Sequence, residues 1–471
     1  MLFNSYPFVF GFLPIVLLGF ATLAHSDLYR AAAVWLILAS LFFYGWWDWR
    51  YLFLFGFSIG FNYLWSLLLI PRGATSPTKP TLSPRLLLAA GIAVNLALLG
   101  YFKYRIFIAA SVGALLGSPW NLGPLVLPLA VSFFTFEQIT YLVSAYNGEP
   151  GTCDFISYCM FITFFPHLIA GPIVRYTEIY PQFNRSTPLR LTADNLAGGL
   201  MIFSIGLFKK VILADTLRVI VNPLFAQERT LVFSDAWGAA LAFALQIYFD
   251  FSGYSDMAIG LARMFGVRFP ENFDSPYKSR DFIQFWRKWH MTLSFFLRDY
   301  LYIPLGGNRR GEPRRYLNLF LTMLLGGLWH GASWTFVAWG GLHGIFLAIN
   351  HAWSRFGRCL PDLLAWAATF FLVTVAWVFF RAATFRQAAL ILHGMAGLSG
   401  FSWDPQWYSI GWHELRQIGI GLFLVLFCPN RQTLLAREWK SDYAYAGAFA
   451  IMAGLSIMSM ANPPPFIYFQ F

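Results

Sequence analysis

Apolar residues run along this chain in long unbroken blocks rather than in alternation. They occupy 7–24, 31–47, 51–70, 86–102, 106–117, 124–146, 155–174, 195–215, 232–262, 316–350, 362–381, 385–399, 414–428 and 443–461. Several match or exceed the roughly 20 residues that cross a hydrocarbon layer about 30 Å thick. Continuous runs predict helices, because strands of a membrane barrel would alternate apolar and polar positions. The pattern predicts an all-α polytopic membrane protein with about 11 to 14 membrane helices, the shorter blocks being re-entrant or kinked. No Lys or Arg precedes Arg30, so block 7–24 lacks the basic flank of a signal peptide and is expected to remain as a helix. Residues 1–471 are expected to form one integral-membrane domain, without the internal repeat common in secondary transporters.

Segment 270–315 interrupts the pattern. It is polar, aromatic and basic, and Phe282, Phe285, Trp286, Trp289, Leu293, Phe296 and Tyr300 recur at helical spacing. Arg287, Lys288, Arg298 and Asp299 fall outside that stripe, which predicts an amphipathic helix over 281–300 at the membrane interface, followed by a turn at LGGNRRGEP. Composition agrees: 58% of residues are hydrophobic and only 12% charged, against about 25% charged in soluble domains. The net charge of +11 is unevenly placed, with eleven basic and five acidic residues from Arg263 to Arg315. Loop 71–86 adds Arg72, Lys79 and Arg85 without an acid. Basic flanks of this kind mark the cytoplasmic side, which puts the N-terminus outside. They set topology, and they could also attract an anionic cytosolic ligand. No nucleic-acid partner is expected. Cys153, Cys159, Cys359 and Cys428 form no CxxC pair, so neither a disulfide framework nor a metal site is expected.

From Tyr316 to Asn350 there is no Asp, Glu, Lys or Arg, yet GGLWHGASW places His330 in the middle, between Trp329 and Trp334. As one helix this run would measure about 52 Å, far more than the bilayer core. It must break, and Gly326, Gly327 and Gly331 are the natural places. Non-helical backbone at membrane depth needs a covering of protein or a water-filled cavity. His330 therefore either faces a cavity or hydrogen-bonds a neighbouring helix. His290 shares a helical row with Arg287 and Ser294, pointing either to chemistry or to solvent and headgroups. An imidazole takes a proton from a hydroxyl near neutral pH and returns it, so two histidines at one cavity would suit acyl transfer to an alcohol. No G-x-S-x-G elbow suggests a covalent serine nucleophile. Arg287, Ser294, Trp329 and Trp334 are candidates for substrate contact. The pairs Asp250/Tyr254 and Ser252/Asp256 suit hydrogen bonding between helices. His167 and Arg175 flank Gly171-Pro172 and would line a cavity or shape a bend, and His343 suits packing. A transporter, or a non-catalytic scaffold of a polysaccharide secretion complex, would share much of this pattern.

WRKWHMTLSFFLRDYLYIPLGGNRRG followed by GLWHGASWTFVAWGGLHG resembles the membrane-bound O-acyltransferase family, in particular its bacterial alginate O-acetyltransferase branch. FPHLIAGPIVRY, QIYFDFSGYSDMAIGLARMFGVRFPENFDSPYKS, LPLAVSFFTFEQITYLVSAY and the terminal FIYFQF extend the resemblance over most of the chain. The resemblance implies a multi-helix fold with a central funnel. It implies that His330 matches the family's essential histidine and His290 its second, more variable polar partner. It further implies movement of an acetyl group from a cytoplasmic thioester, acetyl-CoA or an acyl carrier, to an extracytoplasmic polysaccharide: alginate, cellulose or peptidoglycan. The location implied is the bacterial inner membrane, and a separate extracytoplasmic SGNH-type acetyltransferase would complete the transfer. No bound cofactor is expected. Arg298, Arg309, Arg310, Arg314 and Arg315 would then be candidates to meet the donor's phosphates.

Overall fold

A computed structural model of the chain describes every residue except 71–82, 119, 121, 124, 150–153, 170, 184–188, 358–359, 402–409, 437–442, 462, 465 and 468–471. Most of the basic loop 71–86, together with Cys153, Cys359 and the last four residues of the terminal motif, lies outside the described residues. Among the described residues every regular element is a helix. Among the described residues five helices are long and apolar enough to cross a membrane: Pro7–His25, Tyr51–Leu69, Pro84–Leu116, Ala193–Phe225 and Asp362–Arg381. Tyr29–Gly45 and Tyr445–Met458 are shorter apolar helices. These are fewer than the apolar blocks predict, for physical reasons. Block 155–174 splits into Phe155–Thr163 and Phe165–Leu168, and block 385–399 yields the 11-residue helix Phe385–Met395. The 32-residue helix Phe233–Met264 is long but carries Asp235, Asp250, Asp256 and Arg263. Helix ends follow local rules. Ile70 is extended ahead of Pro71, and Ser83 caps the amide of Leu86 in front of Pro84.

The chain divides into two compact units. The first comprises Met1–Phe203 and Ser255–Pro270. Aromatic rings hold its N-terminal helices together, with Phe43 5.5 Å from Phe12, 5.8 Å from Phe8 and 5.6 Å from Phe165 between centroids. Several buried polar side chains there meet one another. Asn62 and Asn95 exchange amide hydrogen bonds of 3.1 and 2.7 Å between two helices. Tyr158 donates to Gln138 at 2.7 Å. His167 Nδ1 lies 2.8 Å from the Glu137 carboxylate, both buried. A side chain on Gly171 would strike the His167 backbone, so this stretch shapes a tight bend.

The second unit comprises Ser204–Tyr254 and Glu271–Phe471. Its centre is an antiparallel hairpin of Glu312–His330 and Trp334–Trp353. The block 316–350 does break, but only at Gly331–Ser333. Gly326 and Gly327, expected as break points, stay helical because they serve another purpose. Gly327 and Gly340 meet backbone to backbone, and a Cβ on Gly327 would lie 2.9 Å from the Gly340 Cα. Small residues permit this close approach of helices. Elsewhere in the unit, Lys210 pairs with Asp250 at 2.5 Å and with Asp215 at 2.8 Å. Asp250 also accepts from the Ile467 amide at 3.0 Å. Asp250 thus has the structural role its sequence position suggested, although with Lys210 rather than Tyr254.

Gly340→Val is expected to lower folding stability by about 1–3 kcal/mol, because the added methyls have no space between the arms. The check is thermal unfolding of the purified protein, with Gly60→Val, which meets open space, as the comparison.

Candidate functional site

His330 ends the first arm of the hairpin, and the chain leaves it in an extended conformation at Gly331 (φ −158°, ψ 147°). The link looks after its own polar groups. Ser333 donates its amide to the Gly331 carbonyl at 2.9 Å, and its hydroxyl accepts from the Thr335 amide at 3.2 Å. Phe336 lies over Gly331 so closely that a Cβ there would collide with its ring. The His330 imidazole is 4% exposed. It packs 4.9 Å from Trp329, 5.1 Å edge-on from Trp339 and 5.4 Å from Phe380.

His290 reaches the same place from a second break. The helix expected over 281–300 is not continuous. It consists of Phe282–Lys288, capped by Asp281 at the Gln284 amide (2.8 Å), and Met291–Leu297, leading into a wide turn at Arg298–Tyr302. Between the two helices His290 adopts the left-handed conformation, φ 43° and ψ 54°. Such a conformation is strained for a residue with a Cβ, by about 1–2 kcal/mol. Phe282, Phe285, Trp286, Trp289, Leu293 and Phe296 are all buried. The stripe packs into protein, with Trp289 4.9 Å from Trp377 and 5.1 Å from Phe273.

The break brings the two histidines together. His290 is fully buried, its ring 6.4 Å from His330, 6.3 Å from Trp329 and 4.6 Å edge-on from Phe251. Its Nδ1 lies 3.0 Å from the Asn272 Oδ1. Two imidazoles and an indole therefore converge within an otherwise apolar shell. Such a pair can accept and return protons, shielded from bulk water.

Other candidates fall elsewhere. The row Arg287, His290, Ser294 does not survive the break: Arg287 is exposed, His290 buried, and the Ser294 hydroxyl turns to the Trp289 carbonyl at 3.4 Å. Trp334 is 55% exposed. Arg298 makes a two-point ion pair with Asp299 (2.6 and 3.0 Å) and lies over the Phe295 ring. Arg315 turns to His351 at 2.8 Å and to Glu312 at 3.6 Å. Arg309, Arg310 and Arg314 are exposed. His343 is buried in aromatic packing, and its Nδ1 accepts from the Trp286 indole at 3.2 Å. Sequence reasoning missed Asn272, Trp339, Phe251 and Phe380. Asn272 is one polar residue in a polar segment, and the three rings lie in or beside apolar blocks where many rings pack structurally.

Residues 126–391, which include both histidines, match the membrane-bound O-acyltransferase family. A peptidoglycan O-acetyltransferase of Helicobacter pylori is 44% identical over 432 residues, covering 85% of this chain and 81% of the relative. A probable alginate O-acetylase of Pseudomonas aeruginosa is 45% identical over 394 residues, covering 82% of this chain and 73% of the relative. A teichoic acid D-alanyltransferase of Bacillus subtilis is similar at 27% identity over 285 residues, 55% of this chain and 70% of the relative.

The geometry separates the two tryptophans. Trp329→Leu is expected to lower turnover by at least about tenfold through loss of ring positioning, and Trp334→Leu by less than about twofold, as an exposed position. Both are read in membranes containing equal amounts of protein.

Proposed function

The chain belongs to the membrane-bound O-acyltransferase family and is an O-acyltransferase of the membrane; on that premise we propose that it moves acetyl from a cytoplasmic thioester toward an extracytoplasmic polysaccharide. The observation that carries this reading is the convergence of His290 and His330, 6.4 Å apart between ring centroids, at two helix breaks inside an aromatic shell. Two relatives at 44% and 45% identity, named for O-acetylation of peptidoglycan and, as a probable activity, of alginate, support a polysaccharide acceptor.

In this reading the hydroxyl oxygen attacks the acetyl carbonyl. Its proton passes to the imidazole pair, the carbon–sulfur bond breaks, and the proton returns to the departing thiolate. The bond formed is an ester and the bond lost a thioester, so no redox partner enters. Both imidazoles are enclosed by Trp329, Trp339, Phe251 and Phe380, so substrates reach them by displacing aromatic side chains. The donor is acetyl-CoA or an acylated carrier, and the setting is the cytoplasmic membrane of a bacterium. A separate extracytoplasmic acetyltransferase of the SGNH type receives the group and completes transfer to the polymer.

His330→Ala is expected to reduce acetylation of the polymer by at least about a hundredfold, as for loss of a general acid–base group, while the protein still inserts. Mass analysis of polymer from cells expressing each form checks this, and retained acetylation would overturn the reading. The donor side gives a second expectation. Neutralising Arg309, Arg310 and Arg314 together is expected to raise the donor KM about three- to tenfold with kcat little changed, a modest effect because exposed charges are screened. Initial rates against acetyl-CoA concentration at two ionic strengths measure it.

A further inference from the structure

The hydrogen bonds around His290 specify more than its position. Asn272 is 1% exposed and lies in the irregular stretch before Phe282–Lys288. Its Oδ1 faces three donors: the Thr292 hydroxyl at 3.0 Å, the Thr292 amide at 3.4 Å and the His290 Nδ1 at 3.0 Å. A backbone amide can only donate. The side-chain atom it meets is therefore the amide oxygen, which settles the orientation of Asn272 without reference to hydrogens. That oxygen can only accept, so His290 Nδ1 must carry a proton. A neutral imidazole holds one N–H, which leaves Nε2 with its lone pair. Among the described residues His290 Nε2 is buried and has no hydrogen-bond partner. Asn272 also grips the backbone of the break, its carbonyl accepting from the Met291 amide at 3.0 Å.

We infer that Asn272 is a positioning residue that fixes the His290 tautomer, leaving His290 Nε2 as the acceptor that holds and orients the attacking hydroxyl beside His330. This rests on the acetyl-transfer reading and deepens it. In the step, the oxygen–carbon bond forms as the hydroxyl proton moves to His330. The carbon–sulfur bond then breaks, and His330 returns the proton to sulfur. An amide suits this better than a carboxylate would. It orients the ring without adding a negative charge that would favour the imidazolium, which has no lone pair to offer the hydroxyl.

Among the described residues the rings of Phe251, Trp329 and His330 pack on His290, and of these only His330 carries an ionisable group. Asp250 is paired with Lys210, Asp274 accepts from Asn430, and Arg287 is exposed. A carboxylate introduced at position 272 would therefore act directly on His290.

The test uses full-length protein in membrane vesicles containing its natural acceptor and supplied with labelled acetyl-CoA. Asn272→Leu is expected to lower kcat at least tenfold while the donor KM stays within twofold. Asn272→Asp keeps the acceptor oxygen but stabilises protonated His290, so the acid limb of its kcat–pH profile should move upward by about one unit, with activity recovering at alkaline pH. If Asn272→Leu fails to accumulate, the Asp variant still decides. An Asp profile that coincides with wild type, or a Leu variant of undiminished kcat, overturns this inference while transfer by wild type upholds the functional reading. Absence of transfer by wild type overturns both.

Discussion

A helix that stops inside a bilayer strands amides and carbonyls where no water can reach them, and every one must find a partner in the protein. The second unit meets this demand at two places. At Gly331–Ser333 the link bonds to itself and to the start of the next arm. At Trp289–Thr292 the partners come from Asn272, with the Ser294 amide closing on the His290 carbonyl at 3.0 Å. Each solution leaves an imidazole at the point where the helix ends. The histidines are adjacent because the breaks are, and the breaks persist because their backbone groups are satisfied.

Several polar residues elsewhere in the apolar helices are matched to one another. Asn62 with Asn95 and Lys210 with two carboxylates form matched sets, and His167 faces Glu137 through one nitrogen. Burial of such groups is tolerable when they are paired and costly when one partner is lost. At His290, too, one nitrogen is engaged, and the other has no partner among the described residues. An unmatched lone pair in a low-dielectric interior is a standing energetic penalty, and a substrate hydroxyl is the kind of group that would relieve it.

Much of this could be read from the chain. A charge-free block too long to cross once, with glycines and a histidine at its middle, announces a hairpin and its central residue. The family follows from the blocks around it. The second break could not be read. Residues 281–300 keep a helical stripe throughout, and nothing in WRKWHM signals that His290 takes a left-handed conformation, because the hydrogen bonds that hold it come from Asn272, 18 residues upstream. That protein covers this stripe could not be read either, because amphipathicity reports burial of one face and not what buries it. The exposure of Trp334 was illegible for a related reason: in lipid, an exposed indole and a buried one look alike in sequence. Apolar blocks also build short helices such as Phe165–Leu168, so the blocks alone do not number the spans.

The glycine contact at 327 and 340 has a mechanical corollary. With no side chains between them, the two arms of the hairpin cannot slide past each other by a residue without driving a Cβ through backbone. They behave as one stiff beam, and His330 is carried at its tip. Whatever loosens to admit a substrate must then belong to the neighbours that lean on that tip, Phe380 at the end of Asp362–Arg381 and Phe251 within Phe233–Met264, rather than to the beam itself.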